Sequence, residues 1–516
     1  MPLTHQKTML RRTARRPCRC AALVCLAVLA GCEDVEQRVW WAPDGSVAAV
    51  DGRPGLRLMQ PDGTLTEPIL DGTVAGVSWL PDGSGLVVAR AISVATWDEA
   101  KALLPAEESQ AIEAAASMVP ALVRTLRALD HLPTADGGFF RCPTDEVKDW
   151  AMLHAVCARD RHGAELQAAM LSQPAPQAVD RKAGARDREP ADEGPAEAWR
   201  DLQDSKMPVW ELTFVPLADG AATGPVRSLL RSVRPVSCPA VAPRGARVAV
   251  RLGADVTALE PHYFFSRGTP RAGYTLVVLG LEREQRIEVS ERVCSNPVWL
   301  ADGMSLAFVT VAPEATGPQA LKTLETTALV ADGPGAVKAG DRVPLLVGLF
   351  TGGGDGVRLA ALPADRLLLA AVEMALPLRP VDTSPPRARL YTIDATATSK
   401  APPVAVNTAA DALPQNLGGF AVSPDGTRVA VVERDSDAVA VVDLATGRVE
   451  PVAAATKNAK CGTLPAWRND RELLIQTRRK TGDTRDTWAI WQRGEPLRWL
   501  DATWRDVEKE TLPDVE

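Results

Sequence analysis

The segment Trp79-Leu80-Pro81-Asp82-Gly83 precedes the strand-like run Ser84-Gly85-Leu86-Val87-Val88, and units of this form recur along the chain. In each unit, proline fixes φ at one turn position, while Asp and Gly tolerate the remaining turn geometry. The unit therefore predicts a β-hairpin that joins two apolar strands. Clean or looser copies of the unit span Trp41–Val50, Val241–Val250, Trp299–Phe308, Leu362–Leu369, Val422–Val431 and Trp467–Ile475.

Seven hairpins of this kind predict an all-β fold, a β-propeller of about seven blades that closes through its first and last blades. Further alternating strands, such as Tyr274–Val278 and Ala438–Val442, follow most hairpins and complete four-stranded blades. We expect Trp79, Trp299 and Trp467 to pack between blades. The predicted blades begin near Val39, Val77, Pro239, Pro297, Arg358, Phe420 and Pro465. The turn residues to which we assign a structural role are Pro43, Asp44, Gly45, Pro81, Asp82, Gly83, Asp302, Gly303, Pro424, Asp425 and Gly426.

The repeat resembles the Trp-x-Pro-Asp-Gly unit of TolB-like propellers. Residues 422–452, which include Asp443-Leu444-Ala445-Thr446-Gly447-Arg448, are similar to a YVTN-type, WD-repeat-like propeller repeat. Both resemblances imply a β-propeller. They say little about function, because unrelated functions share this architecture.

Composition excludes some classes of function. The chain has 516 residues, of which 46% are hydrophobic and 24% charged, so it has enough apolar material for a large folded domain. The net charge of −7 and the absence of a clustered basic surface after residue 32 argue against nucleic-acid binding. We expect a monomer.

The amino terminus has the charge-then-apolar order of an export signal. Five arginines between residues 11 and 19 precede the apolar run Ala21–Ala30, and Leu29-Ala30-Gly31-Cys32 follows the pattern of a lipoprotein cleavage site. This ending resembles the lipobox of bacterial lipoproteins, and the resemblance implies lipidation of Cys32. The alternative is an ordinary secretory signal in which the cysteine is incidental.

These features divide the chain into four parts. We predict a signal peptide over 1–31, a lipidated tether over 32–38, the propeller over 39–500 and a tail over 501–516. The predicted location is the bacterial cell envelope, with the propeller tethered to a membrane and facing the periplasm or the exterior.

The second blade contains an insertion over 98–205, where the period-two pattern gives way to Ala, Glu and Leu. We predict α-helices here, because this composition favours them, and a disordered connector over 173–197. Insertions in repeat proteins often map to the binding face. The insertion is therefore the predicted site of the protein's individual function.

Cys142 and Cys157 lie in this insertion, in a compartment that permits disulfides. Three interpretations are open: a disulfide, which we favour, a pair of free thiols, or a metal site with His154 and His162. The spacing is not of the CxxC type that commonly binds zinc. We therefore predict no metal and no cofactor.

The sequence contains no convincing catalytic centre. It has neither a Gly-x-Ser-x-Gly elbow nor a His-Glu-x-x-His pair. We favour a non-enzymatic module that binds or scaffolds an unknown protein or peptide of the envelope. The alternative is an enzyme or a small-ligand or carbohydrate-binding protein with carboxylates at the central funnel, and a third option is a structural envelope component.

Overall fold

A computed structural model gives the fold. All described residues belong to the compact unit Asp34–Glu516. The described residues are 37–52, 55–116, 156–164, 207–253, 274–283, 285–311, 322–333, 336–349, 357–372, 388–396, 404–406, 413, 417–433, 438–453, 463–478 and 486–500.

Within these residues the strands form seven antiparallel blades, ordered along the chain from the inner strand outward, except that the last two strands of blade 2 both pair with its third strand. Blade 1 comprises β1 Val39–Trp41, β2 Ala48–Asp51 and β3 Leu56–Met59. Blade 2 comprises β4 Thr73–Trp79, β5 Gly85–Val94, β6 Met207–Ala218, β7 Ala221–Ala222 and β8 Arg227–Ser232. Blade 3 comprises β9 Val236–Val241, β10 Arg247–Leu252, β11 Tyr274–Gly280 and β12 Arg286–Val293.

Blade 4 comprises β13 Val298–Trp299, β14 Ser305–Val311, β15 Lys322–Ala331 and β16 Val337–Leu349, and blade 5 comprises β17 Leu359–Leu362, β18 Arg366–Val372, β19 Ala388–Asp394 and β20 Val404–Ala405. Blade 6 comprises β21 Leu417–Val422, β22 Arg428–Glu433, β23 Val439–Asp443 and β24 Val449–Ala453. Blade 7 comprises β25 Ala466–Trp467, β26 Glu472–Arg478, β27 Asp486–Gln492 and β28 Arg498–Leu500. Blades 3 and 4 share one sheet through the pair Val293 and Thr310.

The inner strands form a closed ring. Each inner strand contacts the next, in the order β1, β4, β9, β13, β17, β21 and β25, and β25 returns to β1. One apolar cluster joins the first and last blades, with Val39 and Val50 packed beside Leu474 and Trp488. The predicted seven-bladed propeller, closed through its first and last blades, is therefore confirmed.

Tryptophans at the first motif position link adjacent blades, as predicted. The indole Nε1 of Trp79 donates to the Trp40 carbonyl of the preceding blade at 2.8 Å. Trp299 and Trp467 donate in the same way to inner-strand carbonyls of blades 3 and 6, at 2.8 and 2.9 Å. All three side chains are almost fully buried. Each tryptophan therefore fills the interface and also satisfies an inner-edge carbonyl.

The insertion in the second blade is helical where it is described, which confirms the prediction of helices there. Its helices are α1 Trp97–Leu103, α2 Ala106–Ala116 and α3 over 156–164. The Thr96 side chain accepts from the Glu99 N–H and caps α1. The predicted connector 173–197 lies outside the described residues.

Candidate functional site

The turns between the first and second strands of the blades lie on one face of the ring, here called the turn face. Neighbouring turns touch directly: the Ala301 N–H donates to Asp365 Oδ1 at 2.9 Å, and the Asp425 N–H donates to Asp470 Oδ1 at 2.8 Å. Between blades 7 and 1, Arg468 Nε donates to the Gly45 carbonyl at 3.0 Å. The turn face is therefore an interlocked ring of short turns.

The motif aspartates stabilise these turns through their own side chains. Asp44 Oδ1 accepts from the Ser46 N–H at 2.9 Å and from the Ser46 hydroxyl at 2.7 Å, and these bonds hold the pKa of Asp44 below its usual value. Asp82 makes the same bonds to Ser84, which likewise lower its pKa. The following Gly45 and Gly83 have φ of 70° and 73°, which glycine adopts without strain.

The opposite face, here called the loop face, carries the connections between second and third strands. Adjacent strands are antiparallel, so each second strand ends on the side away from the turn face. The second strands of blades 2 to 5 end on this side, at Val94, Leu252, Val311 and Val372. The insertion therefore emerges from the loop face.

The insertion is attached to the propeller by specific bonds. Glu108 Oε1 of α2 accepts from the Ser232 hydroxyl at 2.8 Å and from the Val233 N–H at 2.9 Å, at the end of β8. Trp97 of α1 and Ile112 of α2 are fully buried. The described helices are therefore held in a fixed position on the loop face.

Glu113 joins these helices to one another. Its Oε1 accepts from Lys101 Nζ at 2.8 Å and from Trp97 Nε1 at 3.1 Å, and it pairs closely with Arg161 of α3. The bonds from Lys101, Arg161 and Trp97 lower the pKa of Glu113 to about 2. Asp98, Glu99 and Glu107 remain exposed, so α1 and α2 present three carboxylates to solvent.

A buried ion cluster underlies the insertion in blade 2. Glu211 of β6 lies between Arg90 of β5 and Arg231 of β8, its partners in register on the two neighbouring strands. The distances are 2.6 Å to Arg90 and 2.8 Å to Arg231. Burial would raise the pKa of Glu211, but the bonds from Arg90 and Arg231 outweigh it and lower the pKa.

The inner strands surround a central channel with a volume of about 460 Å³. Its described lining includes Gln37, Asn296 and Arg358 toward the loop face. Toward the turn face it includes Trp41, Trp79 and Trp467, and the walls between contain Val39, Phe420 and Leu464. The channel therefore has a polar, basic end and an aromatic end.

None of the described residues that line this channel is a carboxylate, so the described channel offers no support for the funnel-carboxylate alternative. Among the described residues, no group of three or more His, Cys, Asp and Glu side chains is arranged to hold a metal ion. No helix in the described ranges is both long and apolar enough to cross a membrane.

The predicted cysteine sites are only partly visible. Cys157 is buried in α3, and this burial raises the pKa of its thiol to about 11. Cys142 and His154 lie outside the described residues, so the proposed disulfide stays a prediction; His162 of α3 is exposed. Cys32, the predicted lipidation site, also lies outside the described residues.

No protein-family model matches the sequence, and no curated protein matches it. Among solved structures, hydrazine synthase of Kuenenia stuttgartiensis is 9% identical, covers 89% of this chain and 96% of its own, and has a TM-score of 0.43. The Cps50 (Swd1) β-propeller domain of Myceliophteria thermophila is 10% identical over 89% of this chain and 97% of its own, with a TM-score of 0.40. A putative TolB from Agrobacterium tumefaciens is 11% identical over 50% of this chain and 82% of its own, with a TM-score of 0.32.

These likenesses concern the fold alone. The closed ring of seven antiparallel blades and its hydrogen-bonded motif turns establish the class of protein independently. The chain is a seven-bladed β-propeller with a helical insertion in its second blade.

Proposed function

We propose that this chain is a membrane-anchored, extracytoplasmic lipoprotein that binds a protein partner through the loop face of its propeller. The helical insertion forms part of the contact surface. The single observation that carries the proposal is the attachment of α2 to the propeller through Glu108, Ser232 and Val233. A surface that is already fixed loses little conformational freedom on binding, which favours recognition.

Charge identifies the kind of partner. Asp98, Glu99 and Glu107 are exposed on α1 and α2, whereas Glu108 and Glu113 are used to hold the helices in place. Surfaces of opposite charge attract each other and dock in a defined orientation. The partner is therefore a protein with a basic patch.

The proposed lipid anchor favours a partner that lies at the membrane. The chain enters β1 at Val39 from the loop-face side, because the turn that follows β1 lies on the turn face. A tether over 32–38 can span at most about 25 Å when extended. A lipid on Cys32 would hold the loop face close to the bilayer, within reach of a membrane-bound partner.

Replacement of Cys32 by Ser tests the anchor. The Cys32→Ser protein should be released from membranes, because a single export signal without acyl chains provides no stable attachment. Cell fractionation with quantitative blotting measures the release. Retention of the variant in the membrane fraction would contradict lipid anchoring but leave partner binding open.

Site-specific photocrosslinking tests the binding surface. A photocrosslinking residue at Glu107, on the loop face, should give a discrete adduct, whose partner mass spectrometry identifies. The matched control position is Glu282, an exposed glutamate in the turn between β11 and β12 on the turn face. When the photocrosslinking residue is placed at the neighbouring position Gln110, an additional Glu107→Lys substitution should abolish the adduct. An additional Glu282→Lys substitution should leave that adduct unchanged. Adducts formed equally from both faces would contradict the proposal.

A further inference from the structure

The buried ion cluster of blade 2 has more positive than negative charge. Glu211 pairs with both Arg90 and Arg231, and its side chain is only 2% exposed. No other carboxylate among the described residues pairs with either arginine. Because one carboxylate neutralises only one of two guanidinium groups, the cluster retains one positive charge. A partly buried charge without a counter-ion is costly, since it has lost water and gained no partner.

Arg231 is the arginine that can carry this excess charge to a ligand. Arg90 uses Nε and Nη2 on Glu211 and Nη1 on the Asp71 carbonyl. Arg231 donates to Glu211 through Nε alone, at 2.8 Å, and its side chain is 35% exposed. The two Nη groups of Arg231 have no hydrogen-bond partner among the described residues. Arg231 therefore presents two unused donors on a positively charged group.

Arg231 lies beside the attachment of the insertion. It precedes Ser232, the last residue of β8, whose hydroxyl donates to Glu108 of α2 at 2.8 Å. The exposed Glu107 precedes Glu108 on the helix. Arg231 and Glu107 are each one residue away from this hydrogen bond, and among the described residues they do not pair with each other. A partner that covers the loop-face end of blade 2 therefore meets both charges.

We propose that Arg231 binds a carboxylate of the protein partner, next to the basic patch that faces Glu107. This inference rests on the proposed function, because it concerns the same loop-face surface. A guanidinium with two unused N–H groups can hold a carboxylate through two parallel hydrogen bonds, which fix orientation. A lipid phosphate is a poorer fit, because the exposed carboxylates Asp98, Glu99 and Glu107 disfavour an anionic bilayer surface. Opposite charges on the two sides of the attachment therefore select one docking orientation.

Carbodiimide coupling of the full-length protein in its native membrane tests for the carboxylate. Arg231→Lys keeps a positive charge beside Glu211 and supplies an amine, which a zero-length carbodiimide joins only to a carboxylate in direct contact. The variant should form an intermolecular amide at position 231 with the protein that is captured from Glu107, and mass spectrometry maps the bond. Arg493→Lys on the turn face is the matched control, because Arg493 also pairs with a glutamate, Glu450, through Nε at 3.2 Å. The control should form no intermolecular amide.

Arg231→Met measures the contribution of the charge to binding. It removes the excess charge and leaves Glu211 paired with Arg90, and urea unfolding checks that the fold is retained. The photocrosslinked adduct formed from Gln110 should fall by about tenfold, as expected for the loss of a charged hydrogen-bonded pair. Arg493→Met should leave the adduct unchanged.

The outcomes separate this inference from the proposed function. A partner captured from Glu107 without an amide in Arg231→Lys, or an undiminished Gln110 adduct in Arg231→Met, would overturn the role of Arg231 and leave loop-face binding intact. Capture of phospholipid rather than protein by a photocrosslinking residue at Ser228 would assign Arg231 to the bilayer and would also overturn it. Failure to capture any protein from Glu107 or through Arg231→Lys would contradict both proposals.

Discussion

The turn face and the loop face are built from opposite ends of the same strands, yet their connections differ. On the turn face, short turns repeat one motif, and hydrogen bonds such as that from Asp425 to Asp470 tie neighbours together. On the loop face, the connections vary from 52–55 in blade 1 to 95–206 in blade 2. The repeat therefore fixes the architecture on one face and leaves the other free to acquire a binding surface.

The largest effect should come from the ion cluster beneath the insertion. Glu211→Gln leaves Arg90 and Arg231 without their buried carboxylate, and breaking such a pair costs about 3–5 kcal/mol. Urea unfolding measures the loss. The control is Glu450→Gln, whose partner Arg493 is about half exposed, where the expected loss is at most about 1 kcal/mol. Equal losses would show that the cluster does not support blade 2.

A smaller effect should distinguish two reasons for glycine on the turn face: close contact with the adjacent blade and positive backbone φ. Gly426 and Gly83 both have positive φ, but a Cβ at Gly426 would collide with Pro363 of the adjacent blade, whereas one at Gly83 meets nothing within 4 Å. Gly83→Ala should cost about 1–2 kcal/mol for the backbone alone. Gly426→Ala should cost at least about 1 kcal/mol more, because the overpacked turn must shift. Thermal and urea unfolding of both variants measure the difference, and equal costs would contradict a packed ring of turns.

Tryptophan variants test the links between blades. Trp79→Phe loses a hydrogen bond to the Trp40 carbonyl, which contributes about 1 kcal/mol. Trp41→Phe loses no hydrogen bond among the described residues, although the volume change is the same. Unfolding experiments should show Trp79→Phe to be the more destabilised of the two by about 1 kcal/mol. The reverse order would show that the N–H donor of Trp79 contributes nothing to the interface.

The smallest effect concerns pH and the attachment of the insertion helices to one another. The pKa of Glu113 is lowered to about 2 by Lys101, Arg161 and Trp97. Its contribution is therefore complete above its unfolded value near 4.5 and is lost as the pH falls toward 2. Hydrogen exchange in α1 and α2, corrected for the intrinsic rates, should rise over this window. Glu113→Gln should abolish the pH dependence and Glu107→Gln should leave it unchanged; an unchanged profile in Glu113→Gln would contradict the assignment.

The features that could be predicted from the sequence are those encoded locally. Asp-Gly turns and the strands beside them identify most of the hairpins and the number of blades. Even the looser fifth blade forms its turn, because Ala364 and Asp365 take the positive φ of 61° and 51° that glycine usually supplies. In the seventh blade, Asn469 accepts from two backbone N–H groups in place of the motif aspartate.

The long-range contacts could not be predicted in this way. Glu211 and Arg90 are separated in the sequence by the whole insertion and meet only because β5 and β6 pair. Glu108 contacts Ser232 only because the insertion helix α2 packs against the end of β8. The indole N–H of Trp41 has no hydrogen-bond partner among the described residues, whereas that of Trp79 donates to a carbonyl of the preceding blade. The shared sequence motif does not predict this difference. Sequence patterns describe each repeat, whereas the candidate sites depend on how the repeats are joined.

Binding at the loop face is tested most directly by hydrogen exchange of the lipid-anchored protein in its native membrane, compared with the purified Cys32→Ser protein. We expect added protection in α1 and α2 on the loop face and unchanged exchange in the motif turns at Asp44, Asp82 and Asp425. Added protection confined to the motif turns would show that the partner binds the turn face and would rule out binding at the loop face.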